Sequence, residues 1–119
     1  MANVLVVDDE PLIALMVVEW LVEQGVQAVG PAHTVAQAIA LIEAGDVDAA
    51  VLDVSLAQGN SYEAADLLVQ KGIPFAFATG HGAGGVDERF RDVLTLGKPF
   101  NFEVVRSTVE TLLKRELQV

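Results

Sequence analysis

Five polar side chains stand where short apolar runs of this sequence end. Two acids follow the apolar run 4–7, one closes the run 48–52, and a threonine and a lysine follow two later runs. In an open α/β sheet, ligands bind just outside the carboxyl ends of parallel strands. If these runs are such strands, the five side chains share one cleft: Asp8, Asp9, Asp53, Thr79 and Lys98.

Three carboxylates in one cleft call for a cation. Asp8, Asp9 and Asp53 would repel one another and raise one another's pKa unless a positive charge lay among them. Oxygen ligands without cysteine or a suitable histidine pair favour a hard ion, most naturally Mg²⁺, which keeps several of its waters. The residue types therefore predict a magnesium site.

A lysine and a hydroxyl beside this site extend its chemistry. Lys98 adds a positive charge at one strand end and Thr79 adds a hydroxyl at another, so the group can hold a phosphoryl moiety. A carboxylate can itself be the nucleophile and form an aspartyl phosphate, while metal and lysine neutralise the transferring oxygens. Asp53, at the end of the central apolar run, is our candidate nucleophile.

Strands and helices must alternate to position these side chains. Strands are predicted over residues 4–7, 26–30, 48–52, 74–78 and 93–97, each of them apolar and bounded by turn residues. Pro11 suits the first turn of a helix over 12–23, and Thr34 with Gln37 forms a capping box for the next helix. Further helices are predicted after Asn60, over 89–92, and after Asn101. Strict alternation predicts an α/β fold with a parallel sheet and five helices on both faces.

Composition limits the class of function. At 119 residues and 52% hydrophobic, the chain is expected to form one domain, and a net charge of −10 argues against nucleic acid and anionic membranes as partners. The absence of cysteine excludes disulfides and thiolate chemistry, and no apolar run approaches the roughly 20 residues of a membrane span. We expect a cytoplasmic protein.

The motifs around these side chains resemble those of a known family, the receiver domain of two-component response regulators. The resemblance runs from Asn3 to about Lys114 and implies a flavodoxin-like, doubly wound five-stranded parallel sheet of order 2-1-3-4-5. It rests on four motifs in order: Val7-Asp8-Asp9-Glu10-Pro11, Leu52-Asp53, Ala78-Thr79-Gly80 and Gly97-Lys98-Pro99-Phe100.

The resemblance assigns the metal ligands. It implies that Asp9 and Asp53 ligate Mg²⁺ together with the backbone carbonyl of Ser55. Asp8 would act mainly through metal-bound water. The metal set is therefore expected to be Asp8, Asp9, Asp53 and Ser55.

The resemblance also assigns the phosphoryl chemistry. Asp53 would accept a phosphoryl group from a phosphohistidine on a histidine kinase or histidine phosphotransferase. Lys98 would pair with the phosphoryl oxygens, and Thr79 would bond to the phosphoryl group after transfer. The Lys98–Pro99 bond is expected to be cis, as in the family.

Two departures from the family pattern bear on how the signal is read. Thr95 stands where receivers usually carry an aromatic residue that rotates inward on phosphorylation. The segment from Pro74 to Gly80 is similar to the signature of the FATGUY subgroup, stand-alone receivers of alphaproteobacteria, and His81 stands where that subgroup often has Tyr or Gly. His81 and His33 are each interpreted as solvated loop residues.

We therefore expect residues 1–119 to be a single receiver domain without an output domain. Phosphorylation would change the surface formed by the fourth helix, the fifth strand and the last helix, and hence binding to another protein. The alternative is a phosphoryl carrier or sink in a phosphorelay. A Mg²⁺-dependent phosphatase with an aspartyl nucleophile, a flavin binder and a receiver that works only by docking fit the residues less well.

Overall fold

The computed structural model of the chain describes residues 1–56, 59–80, 86–99 and 101–117, the side chains of the last helix as far as Lys114. Five strands form a parallel sheet of order β2-β1-β3-β6-β7, and two short strands form an antiparallel pair. The sheet strands follow the predicted order 2-1-3-4-5. The strands are β1 Asn3–Val7, β2 Gln27–Ala32, β3 Ala49–Asp53, β4 Ser55–Leu56, β5 Gly59–Asn60, β6 Phe75–Thr79 and β7 Leu94–Gly97.

Four α-helices flank the sheet in the part of the chain that the structure describes. They are α1 Pro11–Gln24, α2 Val35–Ala44, α3 Tyr62–Lys71 and α4 Phe102–Leu117. Pro11 occupies the first turn of α1, and the Asn101 side chain accepts the N–H of Val104 at the start of α4. Among the described residues, no helix is long and apolar enough to cross a membrane.

The prediction of a fifth helix was wrong. Where a helix over 89–92 was predicted, the chain forms only a 3-10 turn, Glu88–Phe90. Backbone N–H groups there bond to carbonyls three residues back, as from Phe90 to Asp87 and from Val93 to Phe90. This spacing makes a 3-10 turn rather than an α-helix.

The core has two layers because alternate strand residues face opposite sides of the sheet. One cluster, under α2 and α3, includes Leu5, Leu52 and Phe77. The other, under α1 and α4, includes Val4, Val6 and Val51. Burial on both faces explains why the three central strands, β1, β3 and β6, are continuous apolar runs. The inner face of α4 is buried at Val105, Val109 and Leu112, while Phe102 meets Trp20 edge to face.

Candidate functional site

Strand register brings the predicted side chains to one edge of the sheet. Val7 pairs with Leu52, so Asp8 and Asp53 follow neighbouring strand positions. Thr79 pairs with Gly97, which places Lys98 one residue beyond the end of β7. The cleft they border has a volume of about 390 Å³. Its described lining residues are Asp9, Glu10, Asp53, Ser55, Leu56, Thr79, Gly80 and Lys98.

Lys98 lies among three carboxylates. Its Nζ is 2.9 Å from Asp53 Oδ2, 3.3 Å from Glu10 Oε1 and 3.6 Å from Asp8 Oδ2. Asp8 and Asp53 are only 4% and 5% exposed, so these charges meet in a poorly hydrated place. The Lys98–Pro99 peptide is cis, as expected. The contact between Glu10 and this lysine was not predicted from the sequence.

Burial sets the protonation equilibria of the cleft. It raises the pKa of Asp8 to about 6, and the charge of Asp53 adds to the rise against the hydrogen bond from the Glu10 N–H. Burial likewise raises the pKa of Asp53, although Lys98 and the Ser55 N–H stabilise its charged form. For Lys98, burial lowers the pKa, but the bond to Asp53 and the nearby carboxylates outweigh it, so its pKa is raised. The single charge of Lys98 therefore does not balance the negative charges of the carboxylates around it.

The donor set fits a hard cation. One carboxylate oxygen from each of Asp8, Asp9, Glu10 and Asp53 lies within 4.8 Å of the others. Oxygen-only donors at this spacing suit Mg²⁺ rather than a soft transition metal. A divalent cation would also offset the excess negative charge of these carboxylates.

The remaining predicted residues lie beside this cluster. Thr79 is 3% exposed and ends β6, and its carbonyl accepts the N–H of Lys98 at 2.9 Å. Ser55 lies on the rim, in β4, which pairs antiparallel with β5. His81 lies outside the described residues. The structure thus brings together every predicted site residue that it describes.

His33 is a neighbour of the site that sequence reasoning missed. Its ring Nδ1 lies 2.9 Å from the backbone oxygen of Asp8, although the residue was predicted to be a solvated loop side chain. The contact between His33 and Asp8 could not be predicted from the sequence because it depends on β2 continuing past Gly30 to Ala32. The capping box at the start of α2 is the one signal that could have fixed the position of His33.

An aromatic cluster lies beneath the cleft on the α3 side. Phe77 and Phe90 have ring centroids 5.4 Å apart, and Tyr62 lies 5.7 Å from Phe77 and 5.3 Å from Phe90. The Tyr62 hydroxyl accepts the N–H of Asp87 at 2.7 Å. Thr95 lies on β7 and is half-buried, and it occupies the strand position where receivers usually carry an aromatic ring.

Fold and site together define a flavodoxin-like signalling domain with an acidic cleft at its strand ends. The chain belongs to the response regulator receiver domain family, whose family model matches residues 4–110. Receiver domains are phosphoacceptors of two-component signalling and not enzymes in the usual sense. The predicted family and fold are confirmed.

Two solved structures show the likeness in three dimensions. The chain is 42% identical to SdrG from Sphingomonas melonis Fr1, with a TM-score of 0.81, covering 98% of this chain and 97% of that one. A BeF3-activated conformation of SdrG is also known. TrrA from Thermotoga maritima, solved in complex with Mg(2+)-BeF, is 27% identical, with a TM-score of 0.84, over 95% of this chain and 100% of that one.

Curated relatives are longer. The transcriptional regulatory protein TcrA of Mycobacterium tuberculosis is 32% identical over 126 residues, which cover 95% of this chain and 46% of that protein. PdtaR of the same species is 30% identical over 95% of this chain and 57% of that protein. The chain spans about half the length of the curated relatives it matches.

Proposed function

We propose that this protein is a single-domain response regulator that accepts a phosphoryl group on Asp53 in the presence of Mg²⁺. The observation that carries the proposal is the placement of Asp53. Its carboxylate is buried at the end of the central strand, 2.9 Å from Lys98 Nζ, and opens onto a cleft bordered by further acids. A carboxylate so placed can attack an incoming phosphorus atom.

The transfer balances as an exchange of one bond to phosphorus for another. An Asp53 oxygen attacks the phosphorus of a phosphohistidine on the partner, the phosphorus–nitrogen bond breaks, and the imidazole keeps its electron pair and takes up a proton. Lys98 is close enough to follow the charge from the carboxylate to the phosphoryl oxygens. The Thr79 hydroxyl would then donate to one of those oxygens.

The cation site is assigned to Asp8, Asp9, Asp53 and the Ser55 backbone carbonyl. Bound there, Mg²⁺ would offset negative charge on the carboxylates and on the transferring oxygens. Asp9 and Asp53 border the cleft directly, whereas Asp8 lies deeper and would act through metal-bound water. Mg²⁺ must displace protons from the high-pKa acids, so its affinity should fall below about pH 6.

The proposed partners are a histidine kinase or histidine phosphotransferase as donor and a second protein as reader of the phosphorylated state. The reader would bind at β7, α4 and the 3-10 segment, the region of the predicted fourth helix, fifth strand and last helix.

Thr95 leaves this face without the usual aromatic switch, and membership of the FATGUY subgroup is part of the proposal. So is the cytoplasmic location that the composition suggests. The same chemistry would serve a phosphoryl carrier.

Known relatives support the proposal. SdrG matches this chain over nearly its whole length and has a BeF3-activated conformation, and TrrA binds Mg²⁺ with beryllium fluoride. A beryllium fluoride group has the tetrahedral shape of a phosphoryl group on a carboxylate.

The test is the intact mass of the protein after incubation with acetyl phosphate and Mg²⁺, beside a sample in EDTA. The acceptor variant is Asp53→Asn. The matched control is Asp46→Asn, an exposed aspartate at a positive φ that asparagine tolerates. Trp20 fluorescence checks that each variant is folded.

A gain of about one phosphoryl group in the parent and in Asp46→Asn, lost in Asp53→Asn and in EDTA, is the expected result for a carboxylate nucleophile. The same gain in Asp53→Asn would place the acceptor elsewhere. A gain that persists in EDTA would contradict the magnesium assignment. If the parent gains nothing from acetyl phosphate or from a phosphorylated histidine phosphotransferase, the proposal fails.

A further inference from the structure

The peptide that joins Asp8 to Asp9 is held by the end of β2. The Asp8 N–H donates to the Ala32 carbonyl at 3.0 Å, and His33 Nδ1 lies 2.9 Å from the Asp8 oxygen. A carbonyl oxygen only accepts, so Nδ1 carries the hydrogen and donates it. The backbone of Asp8 is therefore bonded at both its N–H and its C=O.

A change of register brings His33 to this place. Leu5 pairs with Val29, but Val7 pairs with Ala32, so β2 gains one residue relative to β1. Gly30 makes this possible: it has φ +94°, and an added Cβ would lie 2.7 Å from the Ala32 nitrogen and 3.2 Å from the Val6 oxygen. Only glycine fits there.

The start of α2 fixes the backbone of His33. The His33 N–H donates to Gln37 Oε1 at 2.8 Å, and the Gln37 N–H donates to Thr34 Oγ1 at 3.1 Å. This is the predicted capping box, with the glutamine side chain reaching the residue before the cap. The imidazole thus projects toward Asp8 from a backbone that is itself hydrogen-bonded.

The Asp8 carbonyl belongs to the peptide plane that precedes Asp9. Holding this oxygen limits rotation of that plane, and with it the direction in which the Asp9 side chain leaves the backbone. Asp9 borders the cleft and is one of the acids clustered around the cation position. A small rotation here would move its carboxylate away from Asp53.

We infer that His33 is a positioning residue for the cation site: its imidazole N–H holds the Asp8–Asp9 peptide so that the Asp9 carboxylate faces the metal. The inference rests on the proposed function, because it needs a metal bound by Asp9. A purely structural role, as part of the start of α2, is the alternative. The positioning role predicts that Mg²⁺ affinity depends on a hydrogen-bond donor at the place of Nδ1, and the purely structural role does not.

The test uses two substitutions that differ in that donor. His33→Asn places an amide N–H where Nδ1 stands, whereas His33→Leu keeps the branched shape and removes the donor. Thr34→Ala is the structural control, because it removes the capping hydroxyl from the same helix end and leaves the imidazole in place. The readouts are the Mg²⁺ dissociation constant from calorimetric titration at pH 7.5, the rate of phosphorylation at saturating Mg²⁺, and the urea unfolding midpoint.

We expect His33→Leu to weaken Mg²⁺ binding about tenfold, the low end for residues that orient metal ligands, and His33→Asn to bind within about twofold of the parent. Saturating Mg²⁺ should restore most of the phosphorylation rate of His33→Leu. Thr34→Ala should lose unfolding stability and keep the parent's affinity.

Equal Mg²⁺ affinity in His33→Leu and the parent would overturn the inference and leave the proposed function standing. Equal weakening in His33→Leu and Thr34→Ala, or failure of His33→Asn to restore affinity, would also overturn it by showing a structural role. A parent protein that binds no Mg²⁺ would overturn both the proposed function and this inference.

Discussion

The acidic cleft and the aromatic cluster share strand β6 and are built in opposite ways. In the cleft, Asp8 and Asp53 are buried with like charges around them and have raised pKa values. In the cluster, Phe77 packs against Tyr62 and Phe90 with ring centroids 5.4–5.7 Å apart, a favourable spacing for aromatic pairs. Thr79 and Phe77 are only two residues apart on β6, so one strand carries both environments.

The difference shows where stability resides and where reactivity is placed. The strand interiors contribute apolar burial that holds the sheet together. The strand ends carry groups whose charges are poorly compensated until a ligand arrives. Substitutions in the two regions should therefore have opposite signs or different pH and metal dependence.

The largest effect is expected in the cluster. Phe77→Ala removes a fully buried ring and should lower the free energy of unfolding by about 3–5 kcal/mol, since both transfer and cavity terms are lost. Urea unfolding followed by Trp20 fluorescence measures it. Val69→Ala on α3, where the side chain is 60% exposed, is the control and should change stability by less than about 0.5 kcal/mol. Similar losses in both variants would refute the stabilising role of the cluster.

Lys98→Met should have the next largest effect. It removes the positive charge from Asp53, Glu10 and Asp8, and hydrogen bonds to charged groups contribute about 1.5–3 kcal/mol. The loss should appear at pH 7 in EDTA and shrink at pH 4, where Asp8, with a pKa of about 6, is protonated in the folded state.

Lys114→Met is the matched control for the lysine. Lys114 is 70% exposed and pairs with Glu110 at 3.4 Å on α4, so its loss should cost less than about 1 kcal/mol. A loss in Lys98→Met that is no larger than in Lys114→Met would mean that the cleft charges are well hydrated.

Asp8→Asn should stabilise the metal-free protein. The folded pKa of Asp8 is about 6 against an ordinary value of 3.8, so the unfolded state releases its proton first as pH rises. Stability is therefore lost between about pH 4 and pH 6, and ionised Asp8 destabilises the fold at pH 7. Allowing for partial hydration of the cleft, we expect the variant to gain about 1–2 kcal/mol at pH 7.

The pH dependence of that gain provides the check. Unfolding in urea with EDTA should show the gain of Asp8→Asn shrinking as pH falls from 6 to 4 and approaching zero below about pH 3, where the carboxyl is neutral in both states. A variant less stable than the parent at pH 7, or a gain that does not change with pH, would contradict the raised pKa.

Much of the fold could be predicted because its signals are local. Apolar runs marked all five sheet strands within one or two residues of their observed ends, and Pro11, Thr34 and Asn101 marked helix starts by their own hydrogen-bonding chemistry. The carboxyl-end rule for parallel sheets then brought distant acids and the lysine together. The site residues could be predicted because their proximity follows directly from the order of the strands in the sheet.

The parts that could not be predicted depend on contacts between segments. The 3-10 turn around Phe90 depends on a buried ring that joins an aromatic cluster with residues of two other segments, α3 and β6. The extra residue in β2 and the cis Gly30–Pro31 bond leave no local pattern in the sequence. The contact between His33 and Asp8 follows from that register, so the histidine had no visible partner in the sequence.

The central claim is that the cleft acids destabilise the protein until a divalent cation binds them. The most direct measurement is the free energy of unfolding at pH 7 as Mg²⁺ increases, for the parent and Asp9→Asn, with NaCl at matched ionic strength. A bound ion should stabilise the parent by RT ln(1 + [Mg²⁺]/Kd), about 2.7 kcal/mol at 100 times Kd. We predict this gain in the parent, a much smaller one in Asp9→Asn, and little from NaCl. An equal gain in both proteins, or an equal gain from NaCl, would contradict the account.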